Sequence, residues 1–384
     1  MRDERQGEFE LHSSTPGRTA HDVARVFEPA RLTQARVLAE MTKAELAEKV
    51  HVSPAAVGQY ETGAITPRPE LLPALARTLA VPVEFFTAGR PLGRVDAADA
   101  HFRSLRSTRA KDRAKAATHA EQLWELTHAL EARVQLPPVD LPEMSEGTVP
   151  GVAARALRSA WGIGAGPVAH LASTMEDHGI VVGLIPMTDE AVTRVSAYST
   201  WAGDRPMVII TPERAASVFR FRFTCAHELG HLLLHPNPRP GDRLQEREAD
   251  EFAAEFLTPR TEIEPFLPRT MRLNVLTQLS STWGVSTESL VRRMGECRIV
   301  SDVSVRRAYQ RLNTMSDLRR DEPLTSFPGE VPSLLRDALA LAERHGLTRV
   351  DLASELCWTP HHLARMLGED DPRPRLRLVR TTAP

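Results

Sequence analysis

The sequence predicts a mainly α fold with a small β-sheet, an α+β chain whose 384 residues suit two or three domains. Three observations carry this. Capped segments with helical apolar spacing fill residues 21–90 and recur after residue 146. Three short apolar runs, 179–186, 197–201 and 206–211, have strand length and lie close together. A long apolar segment, 223–235, follows them with two histidines four positions apart, and reads as a buried helix.

Composition narrows the class. Hydrophobic residues make up 42%, ordinary for a soluble globular chain, and no apolar run approaches the ~18 residues that span a bilayer. Residues 1–6 are polar with no hydrophobic segment behind them, unlike a signal peptide. Three scattered cysteines, Cys225, Cys297 and Cys357, suit a reducing compartment without a disulfide framework. The expected location is the cytoplasm, with no membrane partner. Only Lys43, Lys49, Lys111 and Lys115 are lysines among 48 basic residues, a bias that suits a G+C-rich bacterial genome.

In chain order, residues 1–20 lack periodicity and read as a disordered tail. Residues 29–41 form a first helix. Thr42 caps the second, and Glu45 completes a capping box. Ser53 caps the third, with Pro54 in the favoured first position and Gly63 closing it. A fourth helix covers 70–79, followed by Phe85 and Phe86. Two capped helices joined by a tight turn form the geometry that lays one helix into a DNA major groove. With the run Gln59-Tyr60-Glu61-Thr62-Gly63, segment 21–90 resembles the lambda-repressor/Cro-like (XRE) helix-turn-helix domain.

That resemblance implies that Lys43, Ala55, Ala56 and Gln59 face double-stranded DNA, that Arg68 meets a phosphate, and that the protein is a homodimer. Among the recognition-helix positions only Gln59 has a long hydrogen-bonding side chain, which suits adenine. Residues 21–90 hold eight basic and eight acidic residues. One copy is therefore expected to bind weakly, so that dimerisation or further phosphate contacts are needed.

Residues 91–145 read as a helical linker. Its part 101–115 has six Arg or Lys against one Asp, and either reaches DNA phosphates or is a solvated helix face. Leu123, Leu126, Leu130 and Val134 recur at helical spacing. They are expected to pack on a neighbouring domain, the stripe being too short for a coiled coil.

Residues 146–300 open with helices over 152–161 and 168–178, then the three apolar runs, with a turn at Gly203 and Asp204. The run 206–211 is either an edge strand, able to pair with an extended peptide, or a central one. Next comes His227-Glu228-Leu229-Gly230-His231. Its spacing sets both imidazoles on one helix face, ~5–6 Å apart at Cβ, where both can bind one zinc ion (Zn2+). Glu228 stands between them as the general base. Zinc lowers the pKa of water from ~15.7 to near 7, so a carboxylate can draw its proton at neutral pH.

Catalytic zinc usually takes a third protein ligand. Glu246, on a second helix over 245–257 that Pro259 ends, is the candidate. Asp250, four residues on and on the same face, can fix the tautomer of a ligating imidazole. Glu248 points off that face, and Glu248, Glu251 and Glu255 read as solvated. His235 lies ~12 Å along the helix from His227, too far to share its ion, and reads as structural. Cys225 faces away from the histidines and reads as core.

With Arg220-Phe221-Arg222-Phe223-Thr224 ahead of the first helix and Phe252-Ala253-Ala254-Glu255-Phe256-Leu257-Thr258-Pro259 closing the second, residues 150–300 resemble the ImmA/IrrE family of zinc metallopeptidases. Thr258 stands where that family usually has Met. The resemblance implies a zincin-like domain that cuts a peptide bond in a regulatory protein, commonly a helix-turn-helix repressor. Spacing by itself implies only a metal-hydrolase site.

Residues 301–384 read as helical with a basic, Pro-containing tail. Segment 347–363 aligns without gaps on 41–57, an offset of 306. It is either a second helix-turn-helix, with His361, His362 and Arg365 outward, or a capped helical hairpin.

The expected function is a DNA-binding transcriptional regulator fused to a zinc-dependent endopeptidase. Its protein substrate is a partner repressor or this same chain, cut within 91–145. Two alternatives stay open: a repressor whose metal domain is a sensor or interaction platform, and an antitoxin-like component of a toxin–antitoxin or prophage module.

Overall fold

A computed structural model describes residues 18–93, 95, 101–102, 110–185, 197–211, 217–237, 242–314, 324 and 327–369. Of the tail expected over 1–20, residues 1–17 lie outside these, whereas Thr19 and Ala20 already cap and start a helix, so the expected tail is corrected there; the basic end after 369 also lies outside. The chain divides after Arg90 into two units.

The first unit is a bundle of five short helices, the first four of which are started by a side chain that accepts from an otherwise orphaned N–H group. They are α1 (Ala20–Arg25), α2 (Pro29–Leu38), α3 (Lys43–Lys49), α4 (Pro54–Glu61) and α5 (Leu72–Leu79). Thr19 and Asp22 form a capping box on α1, and Thr42 and Glu45 form one on α3. Ser53 accepts from the Ala56 N–H at 3.1 Å, with Pro54 at the first position of α4. Between α3 and α4 the chain reverses at His51, whose φ of 56° is left-handed. Helix α5 starts two residues later than expected because a turn absorbs Arg68 to Leu71, closed by Leu71 N–H to the Arg68 carbonyl at 2.9 Å. Leu32, Leu46, Val57, Leu72, Leu75, Phe85 and Phe86 are buried and form the core.

The second unit is built on a four-stranded sheet of β1 (His101–Phe102), β2 (Val181–Leu184), β3 (Ala197–Ala202) and β4 (Arg205–Ile210). The spatial order is β1-β3-β4-β2. Strands β3 and β4 form an antiparallel hairpin around Gly203, which takes a φ of 63°. Strand β2 runs parallel to β4, and β1 pairs antiparallel with Tyr198 and Ser199 of β3. Both sides of β4 are thus occupied, so the run 206–211 is a central strand and offers no free edge. The mainly α fold with a small sheet is the one the sequence predicts.

The helices of this unit are α6 (Ala110–Glu131), α7 (Pro150–Ala160), α8 (Leu171–Asp177), α9 (Val218–Leu234), α10 (Arg243–Leu257), α11 (Arg260–Ile263), α12 (Leu273–Trp283), α13 (Thr287–Glu296), α14 (Asp302–Thr314), α15 (Leu334–Arg344), α16 (Arg349–Glu355) and α17 (Pro360–Met366). Strand side chains alternate between faces, which sandwiches the sheet between α6 and α9. Tyr198 turns to α6 and donates to the Ala116 carbonyl at 2.6 Å, while its neighbour Ser199 turns to α9. The α6 stripe Leu123, Leu126 and Leu130 is fully buried. Gly183 of β2 allows this close approach, because a Cβ there would lie 2.9 Å from the Leu123 side chain.

Helix α9 is apolar on nearly every side, as befits a central helix. Phe221, Cys225, Ala226 and Leu229 are wholly buried, and burial pushes the Cys225 thiol well above its ordinary pKa. One charged group clamps its first half. Arg222 pairs with the buried Glu330 and donates to the carbonyls of Gly284 at 2.8 Å and Val168 at 2.6 Å. Glu330 in turn accepts from the N–H groups of Leu171 and Ala172 at 2.9 and 3.1 Å.

The C-terminal hairpin repeats the first unit's backbone plan. Helices α16 and α17 begin 306 positions after α3 and α4, and Thr348 with Asp351 repeats the capping box. Cys357, 306 positions after His51, takes a matching left-handed φ of 52°. The expected outward face is nevertheless corrected. His361 is exposed, but His362 and Arg365 are half-buried, and the His362 Nε2–H donates to Gln122 of α6 at 2.7 Å. Burial pushes the His362 pKa down to about 4. The face that would read DNA is spent covering α6.

Candidate metal centre

Helices α9 and α10 pack antiparallel along most of their length, and the close approach depends on Gly230. A Cβ at that position would lie 3.0 Å from the Phe252 ring of α10. Asp242 starts α10 by accepting from the Leu244 N–H at 2.8 Å, which sets Glu246 in the first turn. Ala249, Phe252, Ala253 and Phe256 bury the apolar face against α9 and leave Glu246 and Asp250 on the face beside its histidines.

The result is a converging donor set. The Nε2 atoms of His227 and His231 are 3.1 Å apart. Glu246 places Oε2 at 3.6 Å from His227 Nε2 and Oε1 at 3.7 Å from His231 Nε2. One ligand atom from each of the three side chains lies within 4.8 Å of the others.

Hydrogen bonds behind the rings fix their tautomers. His227 Nδ1 is 2.8 Å from the Asp250 carboxylate, so that nitrogen carries the proton and Nε2 presents a lone pair. His231 is fixed by a longer relay. His235 Nε2 lies 3.0 Å from Glu248 Oε2, and His235 Nδ1 lies 3.0 Å from His231 Nδ1. An acceptor-only carboxylate requires the proton on His235 Nε2, so His235 Nδ1 accepts from the His231 Nδ1–H. His231 Nε2 is then also a lone pair. Two lone pairs and a carboxylate facing one point repel one another unless a cation stands between them, and two imidazoles with one carboxylate suit a divalent transition metal.

Glu228 is fully buried and accepts from the Ser199 hydroxyl at 2.8 Å. It therefore ties α9 to β3. Along α9, the turn before His227 opens into a cavity of about 430 Å³ lined by Phe223, Leu257, Thr258, Ser286 and Arg293 among others. The metal-facing side chains do not line it.

Residues 175–294 match the family model of the IrrE N-terminal-like domain, and residues 32–86 match that of the helix-turn-helix. The chain joins a helix-turn-helix segment to a segment similar to the IrrE N-terminal-like domain. No curated protein matches it.

In the helix-turn-helix, Ala55, Gln59 and Arg68 are exposed and Ala56 is half-buried. Lys43 is exposed and pairs with Glu61 at 3.2 Å, and Glu61 also holds Arg36 at 2.5 Å. In the IrrE N-terminal-like domain the structure brings together His227, Glu228, His231, Glu246 and Asp250. It also brings in three residues that sequence reasoning set aside or missed. His235 and Glu248 form the support behind His231. The signal was the spacing of four from His231 to His235, which reaches a neighbour on the helix even where it cannot reach the metal. Ser199 carried a weaker signal, since strand alternation shows its face only once the helix beneath is known. Glu255 is not solvated: it is buried and paired with Arg155 at 2.8 Å and Arg293 at 3.4 Å. Glu251 stays exposed.

Proposed function

We propose that this protein is a cytoplasmic transcriptional regulator that binds operator DNA as a homodimer and carries a zinc-dependent endopeptidase acting on a regulatory protein. The observation that carries the peptidase reading is the meeting of the His227 and His231 Nε2 lone pairs at 3.1 Å with Glu246 beside them. His227, His231 and Glu246 would hold the zinc ion. Zinc, when bound, supplies the Lewis acid that polarises a scissile carbonyl and acidifies water.

The chain's own residues handle the protons. Glu228 takes a proton from the attacking water and returns it to the departing amine, which leaves as a neutral group. Ser199 aims the Glu228 carboxylate through its hydroxyl. Asp250 and the His235–Glu248 relay keep both ligating imidazoles in the Nδ1–H tautomer. On the DNA side, Gln59 reads a base edge, Ala55 and Ala56 touch thymine methyls, Arg68 meets a phosphate, and Lys43 is held back by Glu61.

The substrate is a peptide bond in a partner helix-turn-helix repressor or in this chain, within residues 91–145. The test incubates zinc-loaded protein with β-casein, with a helix-turn-helix repressor and alone, followed by intact-mass spectrometry. Cleavage that the Glu228→Gln form lacks supports the reading. Identical intact masses with both forms on every substrate contradict it.

A further inference from the structure

We infer that the cavity beside the first half of α9 is a binding site for a small organic acid, one with an apolar body and a single carboxylate. Its volume, about 430 Å³, falls within the range of small-molecule pockets, roughly 300–1,000 Å³. It lies among helices of the second unit, with lining side chains from α9, α10, α12, α13 and α14. Part of the lining is apolar: Phe219 and Phe223 of α9 and Leu257 of α10. An apolar ligand body takes water off these side chains.

The charged part of the lining selects an anion. Arg220, Arg292 and Arg293 all face the cavity. Arg293, whose side chain is 3% exposed, sits between Glu255 at 3.4 Å and Glu296 at 2.9 Å. Arg155 shares the first glutamate, and Arg260 and Arg292 share the second. Two carboxylates are thus divided among four guanidinium groups. Arg220 has no hydrogen-bond or ion-pair partner among the described residues. Glu288 also lines the cavity, so five arginines stand against three glutamates, an excess that favours an anion. Guanidinium donors bind a carboxylate through charge-assisted hydrogen bonds, stronger than neutral ones and specific in geometry. The first turn of α13 lines the same space and adds the positive end of a ten-residue helix.

The site shares two helices with the donor set. Phe223 is four residues before His227 on α9, and Ala254, which also lines the cavity, is four residues after Asp250 on α10. An occupant therefore braces the two helices that carry the histidines and Glu246. The binding itself does not rest on the peptidase reading, and is tested without any activity measurement.

The experiment titrates the full chain by calorimetry with naphthalene-2-carboxylate and, as the uncharged control, naphthalene-2-carboxamide. The carboxylate should bind about tenfold more tightly than the amide, the worth of one added charge-assisted bond. Arg220→Gln, an exposed substitution, should remove about that tenfold for the carboxylate and leave the amide unchanged. Ala254→Leu with Thr258→Met fills the cavity and should abolish binding of both, with the thermal midpoint kept within about 4 °C. No binding of the carboxylate to the unsubstituted chain, or equal affinity for the two probes, overturns the inference. So does undiminished binding in the filled variant, or an Arg220→Gln form that binds the carboxylate as well as the parent does.

Discussion

His231 of α9 and His235, the residue that caps its C-terminus, face each other through their Nδ1 atoms at 3.0 Å. The second imidazole, too distant to share the metal site, instead sets the tautomer of the first through Glu248. Replacing Glu248 with Gln lets His235 adopt either tautomer. Supporting contacts of this kind are worth about 10–100-fold in metal affinity. Chelator competition on Glu248→Gln should show a loss in that range, and His235→Phe should match or exceed it. Unchanged affinity in both would remove the relay from the site.

Gly230 is a contact point between α9 and α10. Gly230→Ala forces a methyl to within 3.0 Å of Phe252, and overpacking of this kind costs about 1–3 kcal/mol. Denaturant unfolding should show a destabilisation in that range. A second substitution, Phe252→Leu, should cost less in the Gly230→Ala background than alone. Additive costs would mean that the helices do not meet there.

The Arg222–Glu330 pair is buried on both sides, with side chains 3% and 0% exposed. Removing one partner strands the other charge, at about 3–5 kcal/mol. Arg222→Met or Glu330→Gln should therefore destabilise the second unit strongly. Substituting both, as Arg222→Met with Glu330→Leu, should recover much of the loss. Urea unfolding curves read both effects.

Glu176 gives a pH-dependent term. Burial raises its carboxyl from 4.5 to about 7, against the N–H groups of Ser333 and Leu334, which lower it. A raised acid is stabilising while protonated, so its contribution is complete below pH 4.5 and is lost as pH rises through about 7. The shift corresponds to about 3 kcal/mol. Glu176→Gln should gain stability relative to the unsubstituted protein between those pH values, reaching a plateau near pH 8. A stability difference independent of pH would contradict the assignment.

On the DNA module, Gln59→Ala should lower affinity by about 1–3 kcal/mol for the best operator and relax preference at one base. Arg68→Ala should weaken all sequences alike and reduce the salt slope by about 1. Anisotropy titrations over a salt series separate the two.

Much of this was legible in the sequence because it rests on local rules. Caps at Thr42, Ser53 and Thr348 mark helix starts without tertiary help, and the spacing of His227 and His231 sets a shared face wherever the helix lies. The central position of β4 was not legible, since a continuous apolar run is the same in either place. The packing of His362 on Gln122 and of Glu255 on Arg155 and Arg293 was hidden for the same reason. A polar residue on a helix face reads as solvated until the element opposite is known.

Metal content tests the central claim most directly. Elemental analysis of purified protein should find about one zinc per chain in the unsubstituted and Glu228→Gln forms, and far less in Glu246→Ala and His231→Ala. Stoichiometric zinc retained in Glu246→Ala, or none bound by the unsubstituted protein under zinc-replete conditions, would contradict it.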